Sequence, residues 1–280
     1  MTTHGPIPVG SGLVLLEQRG DVSIVTLNRP EKRNAMNIAA QKDLGETLEL
    51  ARNARAIVLA GAPPAFCAGV DLAEQRKLRA SNVAVPSQDG HPWAVTQERI
   101  RRHPAIFVAA VGGVALGGGL TLVHNCELAV ADESAEFGVP ELTFGSVPAL
   151  SGPATTRRLL PKHSAQMIFL AKRVSAATAL HFGIVNEVVP DGQALDRAVE
   201  MAELIAGYDP VTLDYTKKLF RDAADLSWPA AIDHGVALGA LSRAERGRRA
   251  AVAAANVDVD VEAGVEAAAE ADEKETIGSD

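Results

Sequence analysis

The sequence predicts an α/β fold, and three observations carry that reading. Short apolar runs rich in β-branched residues, Val22–Leu27, Ala56–Ala60 and Ile106–Val111, alternate with stretches of helical spacing. Glycine- and proline-dense turns separate them, notably 61–64 and 112–119. Beyond about residue 150 the pattern turns helical, interrupted by one short strand at Val185–Val189.

Taken in order, residues 1–12 are rich in Gly and Pro and are expected to be flexible. Leu13–Glu17 and Val22–Leu27 read as two strands around a Gly20-Asp21 turn. Asn28-Arg29-Pro30 ends that pair, because proline has no N–H to donate. Leu44, Leu48 and Ala51 place one apolar stripe on a helix over 37–53. Ala56–Ala60 is a buried strand, Leu72–Arg79 a helix, and 81–92 a polar, flexible loop. Val95–Arg102 is helical and stops before His103-Pro104, since the residue ahead of a proline avoids the helical region. Leu120–Val130 is a buried helix or a helix–strand pair, and Glu136-Phe137-Gly138 opens another short strand. Helices follow at 155–159, 164–170, 176–182, 193–206, 210–224 and 228–253. The expected organisation is therefore a core over 13–200, a helical region over 201–253 and an acidic low-complexity tail over 254–280.

Charge and composition exclude several function classes. The 280 residues are 47% apolar, enough for a sizeable core. The net charge of −8 sits entirely in the tail, where nine Asp/Glu from Val257 onward face one Lys. Residues 1–256 are formally neutral, which argues against a nucleic-acid surface, since that would need a basic stripe. Cys67 and Cys126 form no disulfide framework and no metal spacing, which suits a reducing, cytoplasmic setting. The first twelve residues lack the charge and apolar run of a signal peptide, and no apolar stretch is long enough to span a bilayer.

The chemistry is concentrated in three segments. Gly117-Gly118-Gly119 sits where a strand passes to a helix, and a helix start leaves N–H groups unpaired with the positive end of the dipole behind them. Glycine there also serves close packing or a plain turn. It is not a phosphate loop, because the G-x-x-x-x-G-K-[ST] pattern is absent, and Leu122 replaces the third glycine of a dinucleotide fingerprint. Phe66-Cys67-Ala68-Gly69-Val70-Asp71 is a second segment of small residues. Cys67 reads as a packing residue rather than a nucleophile, and Asp71 as the cap of the helix from Leu72. The third segment, Phe137-Gly138-Val139-Pro140-Glu141, supplies one acid. His103, His124, His163 and His181 make no metal-binding pair, and no G-x-S-x-G elbow occurs.

These segments carry a resemblance. Phe66-Cys67-Ala68-Gly69-Val70-Asp71-Leu72 resembles the F-x-A-G-x-D-[LI] signature of the crotonase (enoyl-CoA hydratase/isomerase) superfamily. Asn28-Arg29-Pro30 with Asn34-Ala35-Met36 is similar to its N-R-P…N-A-[LM] element. Ala115–Gly119 and Phe137–Glu141 match its other two signatures, in order, so the likeness covers roughly 13–225. It implies a spiral of ββα units with a helical C-terminal trimerisation region. It further implies acyl-CoA thioester substrates, assembly as homotrimers or pairs of trimers, and no separate cofactor, coenzyme A being part of the substrate.

By the same resemblance, the N–H groups of Ala68 and Gly118 form an oxyanion hole. Two donors aimed at a developing enolate oxygen contribute about 2.7–4 kcal/mol each. Lys32, Arg33, Ala35, Gly69, Val70, Asp71, Leu72, Gly117 and Pro140 fall at substrate-binding positions. Family hydratases use two glutamates, and here the first is replaced by Thr121 while Glu141 keeps the second. A threonine is no base at neutral pH, although it can hold a water or a substrate hydroxyl. Glu127 and Glu133 stand off the matched position. A lone Glu141 with Thr121 points to an enoyl-CoA isomerase, with hydratase or hydroxycinnamoyl-CoA hydratase-lyase activity and non-catalytic acyl-CoA binding as alternatives. The segment 73–98, with Trp93, is expected to wall the acyl pocket, and Arg248 and Arg249 are candidate CoA cations.

Overall fold

The computed structural model describes residues 3–80 and 91–277. The expected loop at 81–92 falls almost wholly outside the described residues. The chain divides into two compact units, Met1–Leu213 and Asp214–Asp280.

The first unit is built on a seven-stranded sheet. Its strands are β1 (Thr3–Val9), β2 (Val14–Arg19), β3 (Val22–Leu27), β4 (Ala56–Gly61), β5 (Ile106–Val111), β7 (Leu128–Asp132) and β10 (Glu187–Val189), hydrogen-bonded in that order. β1, β2 and β3 are antiparallel, and from β3 onward the sheet is parallel. The flexible start expected for residues 1–12 is thus corrected for 3–9, which pair with β2 through an irregularity between His4 and Ile7. Pro6 and Pro8 are tolerated because β1 is an edge strand, where a missing N–H breaks no second ladder.

Both faces of the parallel strands are buried, which is why their sequences read as continuous apolar runs. On β4, Ile57 and Leu59 enter one core while Ala56, Val58 and Ala60 enter the other. On β5, Phe107, Ala109 and Val111 alternate in the same way with Val108 and Ala110. The second core is closed by Ala194, Ala198, Val199 and Ala202 of α8 (Ala194–Ala206), which packs across β4, β5 and β7. The first is closed in part by α1 (Ile38–Leu50), through Ala40, Leu44 and Leu48. Asp43 of α1 ties down the β1–β2 turn, accepting from the backbone N–H of Ser11 and Leu13 and from the Ser11 hydroxyl.

A second sheet of three short strands, β6 (Val114–Leu116), β8 (Glu136–Gly138) and β9 (Val174–Ser175), carries two of the motifs. Between its strands run α4 (Gly118–Asn125) and α5 (Ser151–Arg158), and α2 (Leu72–Ala80) and α3 (Pro92–Arg102) precede it in the chain. The remaining helices of this unit include α6 (Pro161–Leu170) and α7 (Ala176–Phe182).

α9 (Pro210–Ala223) crosses the boundary, and α10 (Trp228–Ile277) fills most of the second unit and continues through the acidic segment. Arg248 and Arg249 both bond Glu245 of their own helix, so each is already paired. Among the described residues no helix is long and apolar enough to cross a membrane.

Candidate active site

The site is assembled by strand-like pairings between loops that are distant in sequence. Cys67 pairs in parallel with Ala115 of β6, its N–H donating to Val114 O and its carbonyl accepting from Leu116 N, both at 3.0 Å. Met36 pairs in parallel with Val70 through Met36 N to Gly69 O (2.8 Å) and Asp71 N to Met36 O (3.0 Å). The segment 66–71 is thereby laced between the Asn34-Ala35-Met36 element and the strand leading into the glycine run.

Buried polar side chains fix these loops. Asn34 is 1% exposed; its amide donates to Ala62 O (2.8 Å) and Ala65 O (2.6 Å) and its Oδ1 accepts from Arg29 N (2.9 Å). Arg29 donates to Ala35 O at 3.0 Å and to Asp71 Oδ2 at 2.7 Å. Asp71 Oδ1 caps α2 through the N–H groups of Ala73 and Glu74. The Arg29 hydrogen bond holds the Asp71 carboxyl below the usual carboxylate range. Asp71 is therefore committed to the scaffold, as its position ahead of Leu72 predicts, and its side chain is not spare for a ligand.

The donors differ from the expected pair. The Ala68 N–H donates to Arg33 O at 2.9 Å, so it is not available to a ligand. Among the described residues the Val70 N–H has no backbone partner, because its bridge to Met36 uses only the flanking Gly69 carbonyl and Asp71 N–H. In the other loop, Gly118 begins α4, and its N–H has no partner within the helix. The loops touch: Gly69 has φ +94, and a Cβ on it would lie 2.7 Å from Leu116 O and 3.2 Å from Gly118 N. Only glycine fits both that backbone and that space.

The carboxylate lies at the same turn. Gly117 adopts φ +51, and a Cβ there would lie 3.0 Å from Glu141 Oε1. Glu141 begins a short 3-10 turn (Glu141–Phe144) just after β8, while Gly117 N donates to Gly138 O at 2.9 Å, locking the two segments together. Glu141 Oε1 accepts from the hydroxyl of Ser151, the first residue of α5. Oε2 is buried without a hydrogen-bond partner. Unlike Oε1, it has hydrogen-bonding capacity not used by the scaffold.

Thr121 is fully buried, and its hydroxyl donates to Gly117 O one turn back at 3.1 Å. Its proton is spent within the helix, so what it offers a ligand is acceptor capacity alone. Lys32 and Arg33 are exposed and enter no ion pair among the described residues. Ala35, Leu72 and Pro140 lie on the same assembled loops, Leu72 being 40% exposed.

The competing acids and nucleophiles are engaged elsewhere. Glu127 accepts from Phe107 N at 2.8 Å, and Glu133 is exposed. Burial pushes the Cys67 thiol up to about 12, and its sulfur contacts Asn34 O at 3.1 Å, as suits a packing residue. His124 is buried beside Thr155 Oγ1 (3.3 Å); burial, then the charge of Arg158, takes it down to about 3. No cluster of three or more metal-binding side chains occurs among the described residues.

One residue escapes the motif reading: Ser151 lies ten positions past Glu141 with no signal of its own. Trp93, expected with 73–98 to wall the acyl pocket, is 2% exposed, and its indole edge stands 3.2 Å from the point where a Gly118 side chain would begin.

The fold is α/β, and its assembled loops bring peptide N–H groups and one carboxylate to a single turn. The enoyl-CoA hydratase/isomerase family profile matches residues 17–241. A probable enoyl-CoA hydratase of Rhizobium meliloti is 36% identical over 199 residues, 70% of this chain and 76% of that protein. A short-chain-enoyl-CoA hydratase of Clostridium acetobutylicum is 31% identical over 214 residues, 73% of this chain and 79% of that one. The solved structure of Pseudomonas aeruginosa AtuE superposes with a TM-score of 0.76 at 31% identity, covering 82% of this chain and 91% of its own. The chain belongs to the enoyl-CoA hydratase/isomerase family, within the crotonase superfamily.

Proposed function

We propose that this enzyme binds acyl-CoA thioesters, stabilises their enolates and moves a single proton with Glu141, isomerising enoyl-CoA substrates. The N–H groups of Val70 and Gly118 receive the thioester oxygen. Glu141 takes a proton from C2 of a 3-enoyl-CoA, and the electron pair moves onto the thioester oxygen. Collapse of the dienolate returns the proton to C4 and leaves the 2-enoyl-CoA. Lys32 and Arg33, exposed and unpaired, suit the anionic coenzyme end. The observation that carries this reading is the lone open carboxylate oxygen, Glu141 Oε2, at the Gly117-Gly118 turn, with Thr121 rather than a second acid three residues after Gly118.

Hydration of a 2-enoyl-CoA is the second reading, favoured by the names of the relatives, several of which are enoyl-CoA hydratases. Supplying 3-enoyl-CoA and 2-enoyl-CoA separately divides the two. Isomerisation predicts conversion of the former without 3-hydroxyacyl-CoA, and rapid formation of that product from the latter would establish hydration instead. Glu141→Gln is expected to slow C2 proton exchange in heavy water by about 10²–10⁴-fold. Unchanged exchange would remove Glu141 from the mechanism. Self-association as trimers or pairs of trimers is part of this reading. It is supported by the exposed apolar side chains Leu160, Phe169 and Leu170, and light scattering in solution tests it.

A further inference from the structure

Thr47, Thr96, Thr121 and Thr156 each donate their hydroxyl to the carbonyl four residues back in their own helix, at 2.7–3.1 Å. Thr155, on α5, instead meets a second helix. Its Oγ1 lies 3.3 Å from Nε2 of His124, near the end of α4. Both side chains are buried.

Ser151, Thr155 and Arg158 fall at i, i+4 and i+7, which is one face of α5. The first holds Glu141 Oε1. The last donates to His124 O at 2.7 Å and to Cys126 O at 3.4 Å, carbonyls at the end of α4. Thr155 stands between them, one turn or about 6 Å along the axis from Ser151. α4 begins at Gly118, whose N–H the proposed mechanism uses, and α5 begins at the hydroxyl that holds the carboxylate. Contacts near the far ends of the two helices therefore set the offset between their near ends.

Of these contacts, Thr155 supplies the stiff one. A threonine hydroxyl hangs on one torsion, so its place follows the α5 backbone. Arg158 has a long chain, rich in rotamers, that can follow a small shift of the helix. A slide of α5 that broke the Thr155–His124 contact would strand a buried hydroxyl and a buried ring nitrogen, and native interiors rarely leave such groups unpaired.

We propose that Thr155 is a positioning residue: braced against His124, it fixes the advance of α5 along α4 and thereby the place where Ser151 holds Glu141. The proposal rests on the reading of Glu141 as the proton carrier, and adds what sets its position.

The test follows deuterium entering C2 of 3-hexenoyl-CoA in heavy water, by mass spectrometry, with the full-length protein. Thr155→Val keeps the shape and removes the hydroxyl, whereas Thr155→Ser keeps the hydroxyl. Thr155→Val is expected to lower the saturating rate about fivefold and to hold the half-saturating concentration within about twofold, since misplacing a catalytic group costs rate before binding. Thr155→Ser is expected to stay within about twofold of the intact protein. In the Ser151→Ala background, Thr155→Val is expected to cost nothing further, because the residue it acts through is gone. An equal loss in that background is what general loosening of the interior gives, and it overturns the proposal. So does an unchanged rate in Thr155→Val, or the same loss in Thr155→Ser. Exchange that Glu141→Gln abolishes and Thr155→Val leaves intact overturns this proposal alone. Exchange unchanged by Glu141→Gln, or absent in the intact protein, overturns the reading beneath it and the proposal together. A thermal melt checks that each variant is folded. Should Thr155→Val fail to fold, His124→Leu, which removes the other partner, must show the same loss and the same masking by Ser151→Ala, or the proposal falls.

Discussion

The peptide N–H of Ala68 is bonded to the carbonyl oxygen of Arg33, 2.9 Å away, and two residues on, the N–H of Val70 has no partner among the described residues. The F-x-A-G-x-D motif thus holds one donor engaged by the scaffold and one that the proposed mechanism assigns to the thioester oxygen. Replacing single amides by esters separates them. An ester in place of the Val70 amide is expected to lower kcat by about 10²–10³-fold with little change in stability, as for loss of one oxyanion donor. An ester at Ala68 is expected to cost about 1 kcal/mol of stability and to leave kcat within severalfold. Single-turnover kinetics and urea titrations on the two semisynthetic proteins distinguish them.

Ser151 reaches Glu141 from the start of α5 and holds Oε1, leaving Oε2 open. In the proposed mechanism it acts through the carboxylate, as a positioning residue. Ser151→Ala is expected to reduce kcat about tenfold with KM nearly unchanged, since misplacing a catalytic group costs rate before binding. Ser151→Thr, which keeps the hydroxyl, is expected to recover most of that loss. A change confined to KM would show that Ser151 binds substrate instead.

Gly119 lies where α4 crosses the 66–71 segment, and a Cβ on it would fall 2.1 Å from the carbonyl oxygen of Cys67. The obstacle is backbone, which has no alternative rotamer. Gly119→Ala is therefore expected to destabilise the protein by about 3 kcal/mol, despite alanine's better helix propensity. Gly247, in α10, would meet nothing within 4 Å, and Gly247→Ala is expected to be neutral or stabilising by up to about 1 kcal/mol. Equal melting temperatures for the two variants would contradict this account of the glycine run.

His124 sits neutral in the interior, taken from 6.5 down to about 3 by burial and by Arg158. Its folded value is below its unfolded one, so between them the unfolded chain binds the extra proton. Stability is unpenalised above pH 6.5 and falls through the window down to about 3, at up to about 1.4 kcal/mol per pH unit for this one group. His124→Gln keeps a polar atom for Thr155 and cannot titrate, and its urea midpoint is expected to fall less between pH 7 and pH 5 than that of the parent. Parallel lines for the two proteins would show that His124 is not the titrating group.

The sequence by itself determined the class of the fold, the four motif positions and the choice of Glu141 as the one acid at a matched site. These are legible because each is a local requirement. Continuous apolar runs mark strands buried on both faces, as at Ala56–Ala60, and glycine marks the positive φ and tight contacts of Gly69 and Gly117. The cap role of Asp71 is local too, since the N–H groups it accepts from lie two and three residues on.

Only the tertiary structure decided that the N–H of Ala68 is bonded and that of Val70 is not, among the described residues. That depends on Arg33 and Met36, which dock against the segment from more than thirty residues away, and no spacing within the motif encodes their register. The same holds for the hydroxyl of Ser151 on Glu141, for the closed hydrogen bond of Thr121, and for the orphaned indole of Trp93 against Gly118. A hydrogen-bonding group is free or engaged according to what the rest of the chain brings within about 3 Å of it, and that is a property of packing rather than of local sequence.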